Sequence, residues 1–186
     1  MEKSNRAVST VDDVQIFETR GPWDTKSGGK LNVLFAMPLA TLKDRYFQYE
    51  NTELDLIPGD IRGLRAYTVR DLPNGRIGGT EWHRIREEIV FALEGSVRWM
   101  CEDLLGGQRE FILDTGVWVW MPPFILHTYE VKKDKSGLFV IANTLFVPDD
   151  PRTHDTYSVE TFRELQPNSI SQKSILAKTK RQFQLH

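Results

Sequence analysis

Short runs rich in Val, Ile, Phe and Trp, separated by turn-forming residues, dominate the middle of the chain. The runs are EIVFAL, SVRWMCED, REFILD, VWVWMPP, HTYEVKK and GLFVIANTLF, and LNVLFAMP and LRAYTVR precede them. Turn signals at EGS, LLGGQ, DTG and KDKSG divide the later runs at intervals of about 8–12 residues. This spacing predicts an all-β sandwich or barrel. No alternation of strands with helices is visible, which disfavours a parallel α/β sheet.

Helical signals are confined to the ends of this β-rich region. SVETFREL places Ser158 at an N-cap position and predicts a short helix. ATLKDRYFQY fits either a short helix or an irregular loop. We expect residues 1–30 to be a flexible N-terminal segment, residues 31–165 to form one β-domain, and residues 166–186 to be a polar C-terminal arm.

Composition narrows the possible functions. The 186 residues carry a net charge of −2, so the overall charge gives no support for a nucleic-acid partner. No apolar run of about 18 residues and no signal-peptide pattern is present, which predicts a cytoplasmic protein without a membrane partner. Cys101 is the only cysteine, so an intrachain disulfide and a cysteine-based zinc site are excluded.

The stretch GGTEWHRIREEIVFALEGS concentrates the polar groups that can carry chemistry. Glu81 and His83 stand two residues apart and would share one face of a strand. His127 and Tyr129 do the same on a later strand, and inward faces of neighbouring strands converge on one cavity in a small barrel. For Arg84 and Arg86 the favoured interpretation is a solvated rim.

The spacing around these residues resembles the two sequence motifs of the cupins. Gly75 and Gly95 bracket the first motif, with a glutamate at position 81 where the motif has its first histidine. In the second motif His127 is in place, whereas Phe124 replaces a glycine. The resemblance implies a double-stranded β-helix, the jelly-roll barrel. It also raises the alternative of an iron, manganese or zinc site. That site would use two histidines and two carboxylates, namely Glu81, His83, Glu88 and His127.

Residues 60–165 are also similar to the sugar-nucleotide 3,4-ketoisomerases of the WxcM-like group, which act on thymidine-diphosphate 4-keto-6-deoxyglucose. The similarity lies in GGTEWHRIREEIVFALEGSVRW, EFILDTGVWVWMPPFILHTYEV and LFVIANTLFVPDDPRTHDTYSVETF, and LRAYTVRD resembles the strand before them. The resemblance implies a cofactor-free isomerase of deoxysugar and surface polysaccharide biosynthesis. Such an enzyme moves a keto group between C4 and C3 through an enediol. The family's second histidine maps on His83 and its first on Glu81.

The resemblance and the shared strand faces give a set of predicted site residues. The predicted catalytic residues are His83, Glu81, Tyr67 and His127. The predicted substrate-binding residues are Arg65, Arg76, Arg98, Glu88 and Tyr129. Arginine forks suit the diphosphate of a nucleoside-diphosphate sugar, with thymidine the favoured base. Arg98 matches an arginine that follows the family's Gly-Ser turn.

Three functions stay open at this point. The first is the ketoisomerase, the second a metal-dependent cupin enzyme, and the third a non-catalytic protein that binds a nucleotide sugar. The best evidence for the third is Glu81 in place of a histidine. VWVWM is apolar on both faces, so the outward face needs a cover, and the sequence predicts that a homodimer provides it.

Overall fold

The computed structural model describes residues 8–46 and 61–166. The strands are β1 (Gln15–Glu18), β2 (Arg20–Asp24), β3 (Lys30–Val33), β4 (Arg62–Leu72), β5 (Ile77–Glu81), β6 (Glu88–Glu94), β7 (Ser96–Asp103), β8 (Gln108–Asp114), β9 (Val117–Met121), β10 (Ile125–Val131) and β11 (Ser136–Thr144). The helices are α1 (Leu39–Arg45) and α2 (Val159–Leu165), with single 3₁₀ turns at Val11–Asp13 and Pro151–Thr153. No helix in these two ranges is long and apolar enough to span a membrane.

Two antiparallel sheets pack face to face and enclose the core. One sheet has the order β1-β9-β6-β11-β4 and the other has the order β5-β10-β7-β8. From β4 to β11 the chain crosses from one sheet to the other at every connection except the one between β7 and β8, which are paired neighbours, and this arrangement is typical of a jelly roll. The enclosed core includes Val90, Val97, Trp99, Val119 and Val140, all buried. The all-β jelly roll predicted from the sequence is confirmed.

The N-terminal segment contributes more to the domain than the sequence predicts. β1 pairs with β9, with Gln15 opposite Trp120, and so forms one edge of the larger sheet. Val11 and Val14 are buried in the main core. The β-domain therefore begins before the predicted boundary at residue 31. Residues 167–186, nearly all of the predicted C-terminal arm, lie outside the described part of the chain.

The outer face of the larger sheet is covered by the protein's own chain. Trp118 and Trp120 of β9 are 4% and 3% exposed. Phe17 stacks on Trp118 with ring centroids 4.0 Å apart, and Tyr46, after α1, meets the edge of Trp120 at 4.9 Å. Leu42 of α1 packs against the same cluster, so the ATLKDR part of ATLKDRYFQY is helical and buries one face on this surface, while residues 47–49 lie outside the described part of the chain. The argument for a dimer thus loses its premise, and the homodimer stays a prediction.

The segment before α2 that contains Asp155 and Tyr157, called the strap, closes one end of the sandwich and fixes the segment after β5. The main chains of Trp82 and Tyr157 exchange two hydrogen bonds, at 3.1 and 3.0 Å. The Trp82 indole is fully buried beside Phe162, and its Nε1 donates to the Ser158 carbonyl and to the Thr161 hydroxyl. Burial of this indole on one side of the chain directs its two sequence neighbours to the other side.

Candidate active site

Inward-facing side chains from both sheets meet at this end of the sandwich. β5 and β10 are paired so that Glu81 lies opposite His127. From the larger sheet, Tyr67 of β4 donates its hydroxyl proton to Glu88 of β6 at 2.9 Å. His83 follows β5 and points back into the same space. The structure therefore brings together the four predicted catalytic residues and Glu88.

His83 is held in a defined tautomer. It is 3% exposed, and its Nδ1 lies 2.6 Å from the main-chain carbonyl oxygen of Asp155. Because a carbonyl only accepts, Nδ1 carries the proton and Nε2 presents its lone pair to the site. Nε2 lies 3.9 Å from Glu81 Oε1 and 3.7 Å from Glu88 Oε1. Burial, and then the charges of Arg86 and His127, lower the pKa of His83 well below its ordinary value. His83 is therefore a neutral base.

Glu81 has the opposite electrostatic tendency. Its side chain is 34% exposed, the carboxyl of the cluster that solvent reaches most, since Glu88 is 4% exposed. Burial raises the pKa of its carboxyl, and the charge of Glu88 adds to the rise, whereas His127 and Arg86 oppose it. A carboxyl with a raised pKa keeps its proton at higher pH and can act as a general acid. Glu81 Oε1 and His83 Nε2 thus lie 3.9 Å apart, and the pKa values of the two groups are shifted in opposite directions.

His127 places a second imidazole ring in the cluster. Its Nδ1 lies 3.1 Å from the carbonyl oxygen of Ile125, and its ring stacks on Trp99 at 5.7 Å with 12° between the planes. The ring centroids of His127 and His83 are 5.2 Å apart. Glu81, His83 and His127 each offer a ligand atom, and these atoms lie within 4.8 Å of one another. They are the part of the predicted metal shell that the structure assembles.

Arg65 and Tyr67 share the inward face of β4, as predicted. The Arg65 guanidinium carbon lies 5.0 Å from the centre of the Tyr67 ring and 5.3 Å from that of Phe146. Burial and the charge of Glu88 raise the pKa of Tyr67, so the phenol stays protonated and keeps its bond to that carboxylate. Two rings thus orient one guanidinium at the mouth of the site, and its buried Nε has no hydrogen-bond partner among the residues that the structure describes.

Tyr129 lines the wall of the site, whereas Arg76 stands at its edge. The Tyr129 ring stacks on Trp99 at 5.8 Å, and its hydroxyl passes over Gly78, where a Cβ would lie 2.4 Å away. The phenol therefore depends on a glycine at position 78. Burial and the nearby charge of Glu81 raise the pKa of Tyr129. Arg76 is exposed in the turn before β5 and influences the pKa of Tyr129 from there.

Arg98 does not belong to the site, contrary to the sequence prediction. Its neighbours on β7, Val97 and Trp99, point into the core, so Arg98 points outward. On the outer face it forms ion pairs with Glu130 at 2.6 Å and with Glu110 at 3.6 Å. Its side chain is therefore on the wrong side of the sheet to reach a ligand held between His83 and His127.

Two residues that the sequence analysis did not assign to the site organise it. The buried carboxylate of Asp155 accepts the main-chain N–H groups of Arg84, Ile85 and Arg86 at 3.1, 2.9 and 2.7 Å. Arg86 is 4% exposed and not part of a solvated rim. Asp155 lies 72 residues from His83, and no local pattern indicates its role. The polar cluster PRTHDTY was the only available signal.

Comparisons with known proteins identify the fold. No protein-family model matches the chain, and no curated protein matches its sequence. The chain is similar to QdtA, a sugar 3,4-ketoisomerase from Thermoanaerobacterium thermosaccharolyticum in complex with TDP. Its TM-score is 0.56 at 15% identity, covering 84% of this chain and 96% of that one. WlaRA, a TDP-fucose-3,4-ketoisomerase from Campylobacter jejuni, gives a TM-score of 0.54 at 21% identity, covering 83% and 96%.

A third similar structure is that of an epimerase and not of a ketoisomerase. It is RmlC from Legionella pneumophila, a dTDP-6-deoxy-D-glucose-3,5-epimerase in complex with dTDP-4-keto-L-rhamnose. Its TM-score is 0.56 at 14% identity, covering 82% of this chain and 76% of that one. At these identities the similarity is one of fold, and it confirms the predicted likeness to the jelly rolls of TDP-sugar enzymes.

Proposed function

We propose that this protein is a sugar-nucleotide isomerase. It would move the keto group of a nucleoside-diphosphate 4-keto-6-deoxyhexose between C4 and C3, with thymidine the favoured base. The observation that carries the proposal is the contact of His83, a neutral base, with Glu81, a carboxyl of raised pKa, inside a jelly roll. The structures that share this fold and act on TDP-sugars support the substrate class.

The two groups divide the proton transfers between them. His83 Nε2 removes the proton from C3, which the adjacent ketone acidifies, while Glu81 gives its proton to the C4 carbonyl oxygen. The product of this step is a 3,4-enediol, with an imidazolium and a carboxylate on the protein. Glu81 then takes the proton of the C3 hydroxyl, and the imidazolium returns its proton to C4. The result is a ketone at C3 and a hydroxyl at C4, and both groups regain their starting protonation states.

The surrounding residues suit the remaining parts of such a substrate. Arg65, oriented between two rings at the mouth, is the candidate for the diphosphate, and Arg76 lies farther out on the same side as Tyr129. Tyr129 and His127 line the wall against which a hexose ring would lie. Charge-assisted bonds from arginine to phosphate contribute about 1.5–3 kcal/mol each. We propose that binding of the nucleotide depends on Arg65 first.

This assignment implies a setting and a test. We place the reaction in deoxysugar and surface polysaccharide biosynthesis in the cytoplasm. We also propose a homodimer, and light scattering should give the mass of two chains. The test is incubation of the protein with TDP-4-keto-6-deoxyglucose in D₂O, followed by proton NMR. We expect a 3-keto product that carries solvent deuterium, because the proton on His83 can exchange. A protein that binds TDP yet gives neither product nor deuterium exchange with any 4-keto nucleotide sugar would favour a binding protein without catalysis.

A further inference from the structure

Arg86 is a buried cation in the site that the proton transfers above do not use. Its side chain is 4% exposed, and its Nε donates to the Thr144 hydroxyl at 3.1 Å. Its main-chain N–H is fixed by Asp155 at 2.7 Å. A guanidinium stays protonated at any pH at which a protein is folded. The fold therefore holds one positive charge at this place, through contacts to both its side chain and its main chain.

The guanidinium lies against two groups that a metal ion would need. Arg86 Nη1 is 3.5 Å from His83 Nε2 and 3.5 Å from Glu88 Oε1. The lone pair of His83 faces this side, because the other ring nitrogen gives its proton to Asp155. An ion on that lone pair would stand next to the guanidinium, in buried surroundings that screen charge weakly. The predicted donor set therefore does not fit a divalent cation while Arg86 is in place.

We infer that Arg86 is the resident cation of this site. It occupies the side of His83 and Glu88 at which a metal-binding jelly-roll enzyme would hold its ion. At rest, Glu88 balances its charge, since buried charges are retained only when they are paired. The part of this inference that concerns catalysis rests on the proposed function, and the part that concerns metal exclusion does not.

The catalytic consequence follows from where charge develops. Removal of the C3 proton pushes electrons onto the C4 oxygen, and negative charge grows there until Glu81 completes its proton transfer. A positive group that is already fixed in a weakly screening site stabilises this charge without reorganising. Arg86 therefore acts as an electrostatic partner of His83 and Glu81, in the place of a Lewis acid.

Manganese binding tests the exclusion without any assay of turnover. Wild-type protein, Arg86→Gln and the control Arg84→Gln, a second arginine in the same loop, are titrated with Mn²⁺ by calorimetry and electron paramagnetic resonance. We expect Arg86→Gln alone to bind one Mn²⁺ per chain, at least ~10-fold more tightly than wild type, and to lose this binding when His127→Asn is added. Wild-type binding of one Mn²⁺ that His127→Asn abolishes overturns the inference, as does a folded Arg86→Gln without any gain. If Arg86→Gln does not fold, the wild-type titration decides.

Chemical rescue tests the catalytic part. Arg86→Ala should lower kcat by ~10²–10³-fold with little change in KM, and added guanidinium chloride should restore part of the rate. Arg84→Ala should keep the wild-type rate and gain nothing from guanidinium. A purely structural role would give a loss that guanidinium does not restore, and that result overturns the catalytic part. If the wild-type protein turns over no keto sugar, the proposed function fails. The manganese titration still decides whether Arg86 keeps a metal ion out of the site.

Discussion

The carboxylate of Asp155 gives the most quantitative prediction of this structure. The carboxylate accepts hydrogen bonds from the three main-chain N–H groups of residues 84–86. The main-chain carbonyl of Asp155 accepts a hydrogen bond from Nδ1 of His83. Asp155→Ala leaves the three donors without a partner, at about 1–3 kcal/mol for each buried donor, or about 3–9 kcal/mol in all. Burial raises the pKa of Asp155, so the cost of burying its charge offsets part of the stabilisation from these bonds. We therefore expect the lower part of this range, about 3–5 kcal/mol.

Urea denaturation measures this loss directly, and thermal unfolding should show it as a fall of about 6–20 °C in Tm, at about 2–4 °C per kcal/mol for a chain of this size. Asp155→Asn keeps the side-chain shape and one acceptor oxygen, so it should lie between the alanine variant and wild type. Asp114→Asn, an exposed carboxylate on β8, is the matched control and should stay within about 0.5 kcal/mol of wild type.

A second measurement links this stability to the site. Nitrogen-15 NMR of His83 should show the Nδ1–H tautomer in the wild type and a mixture of tautomers in Asp155→Ala, because the loop that places the ring is no longer held. The reasoning is refuted if Asp155→Ala costs less than about 1 kcal/mol beyond the Asp114→Asn control and leaves the tautomer of His83 unchanged. In that case the carboxylate would be a passive neighbour of the loop.

Three further predictions concern turnover and binding. His83→Asn and Glu81→Gln should each lower kcat by at least ~10²-fold, with TDP affinity by calorimetry unchanged; a full-rate variant would remove that residue from the proposed chemistry. The pH profile of kcat/KM should keep its activity below pH 6.5, the ordinary pKa of histidine, because the pKa of His83 is lowered and the base stays neutral until the pH falls through that lower value. Activity should decline as the pH rises through the raised pKa of Glu81, and Glu81→Gln should lack this decline. Arg65→Ala should weaken TDP binding by about 1.5–3 kcal/mol whereas Arg98→Ala should not, and equal losses in the two variants would contradict the placement of Arg98 on the outer face.

The parts of the site that the sequence predicts are those set by short-range alternation along strands. Arg65 and Tyr67 share a face because they are two residues apart on β4. Glu81 and His83 meet for a related reason, although β5 ends at Glu81. Trp82 between them is buried on the opposite side, and this preserves the alternation. A large apolar residue between two polar ones is thus a sufficient signal in this stretch.

Arg98 shows where such reasoning fails. Which residues of β7 point inward depends on the turn at Gly95 and Ser96, and a shift of one residue exchanges the two faces of a strand. The apolar residues at positions 97, 99 and 101 are the correct guide, since all three are buried. An arginine between them has to lie on the outer face. The family motif placed an arginine near the site, and the alternation of this strand excludes it.

The remaining errors involve contacts between segments that are distant in sequence. The cover on Trp118 and Trp120 comes from chain about 75–100 residues earlier in the sequence, and the strap that holds residues 84–86 comes from residue 155. Local pattern carries no information about which distant segment covers a given face. The sequence therefore indicates that a cover and a buried partner are needed, and leaves their source open.

The charges around His83 give a physical reason for the glutamate at position 81. Two guanidinium groups, Arg65 and Arg86, act on this cluster, and each lowers the pKa of Glu81, as each lowers the pKa of His83. Glu88 balances one of them, through its contact with Arg86 at 3.5 Å. A histidine at position 81 would remove a carboxylate from the surroundings of Arg65. That histidine would also be hard to protonate, because two guanidinium groups lie nearby. A carboxyl that burial makes a weaker acid can hold a proton there and remain compatible with both arginines. Glu81 and Arg86 thus belong to one charge pattern, in which the carboxyl and the buried cation depend on each other.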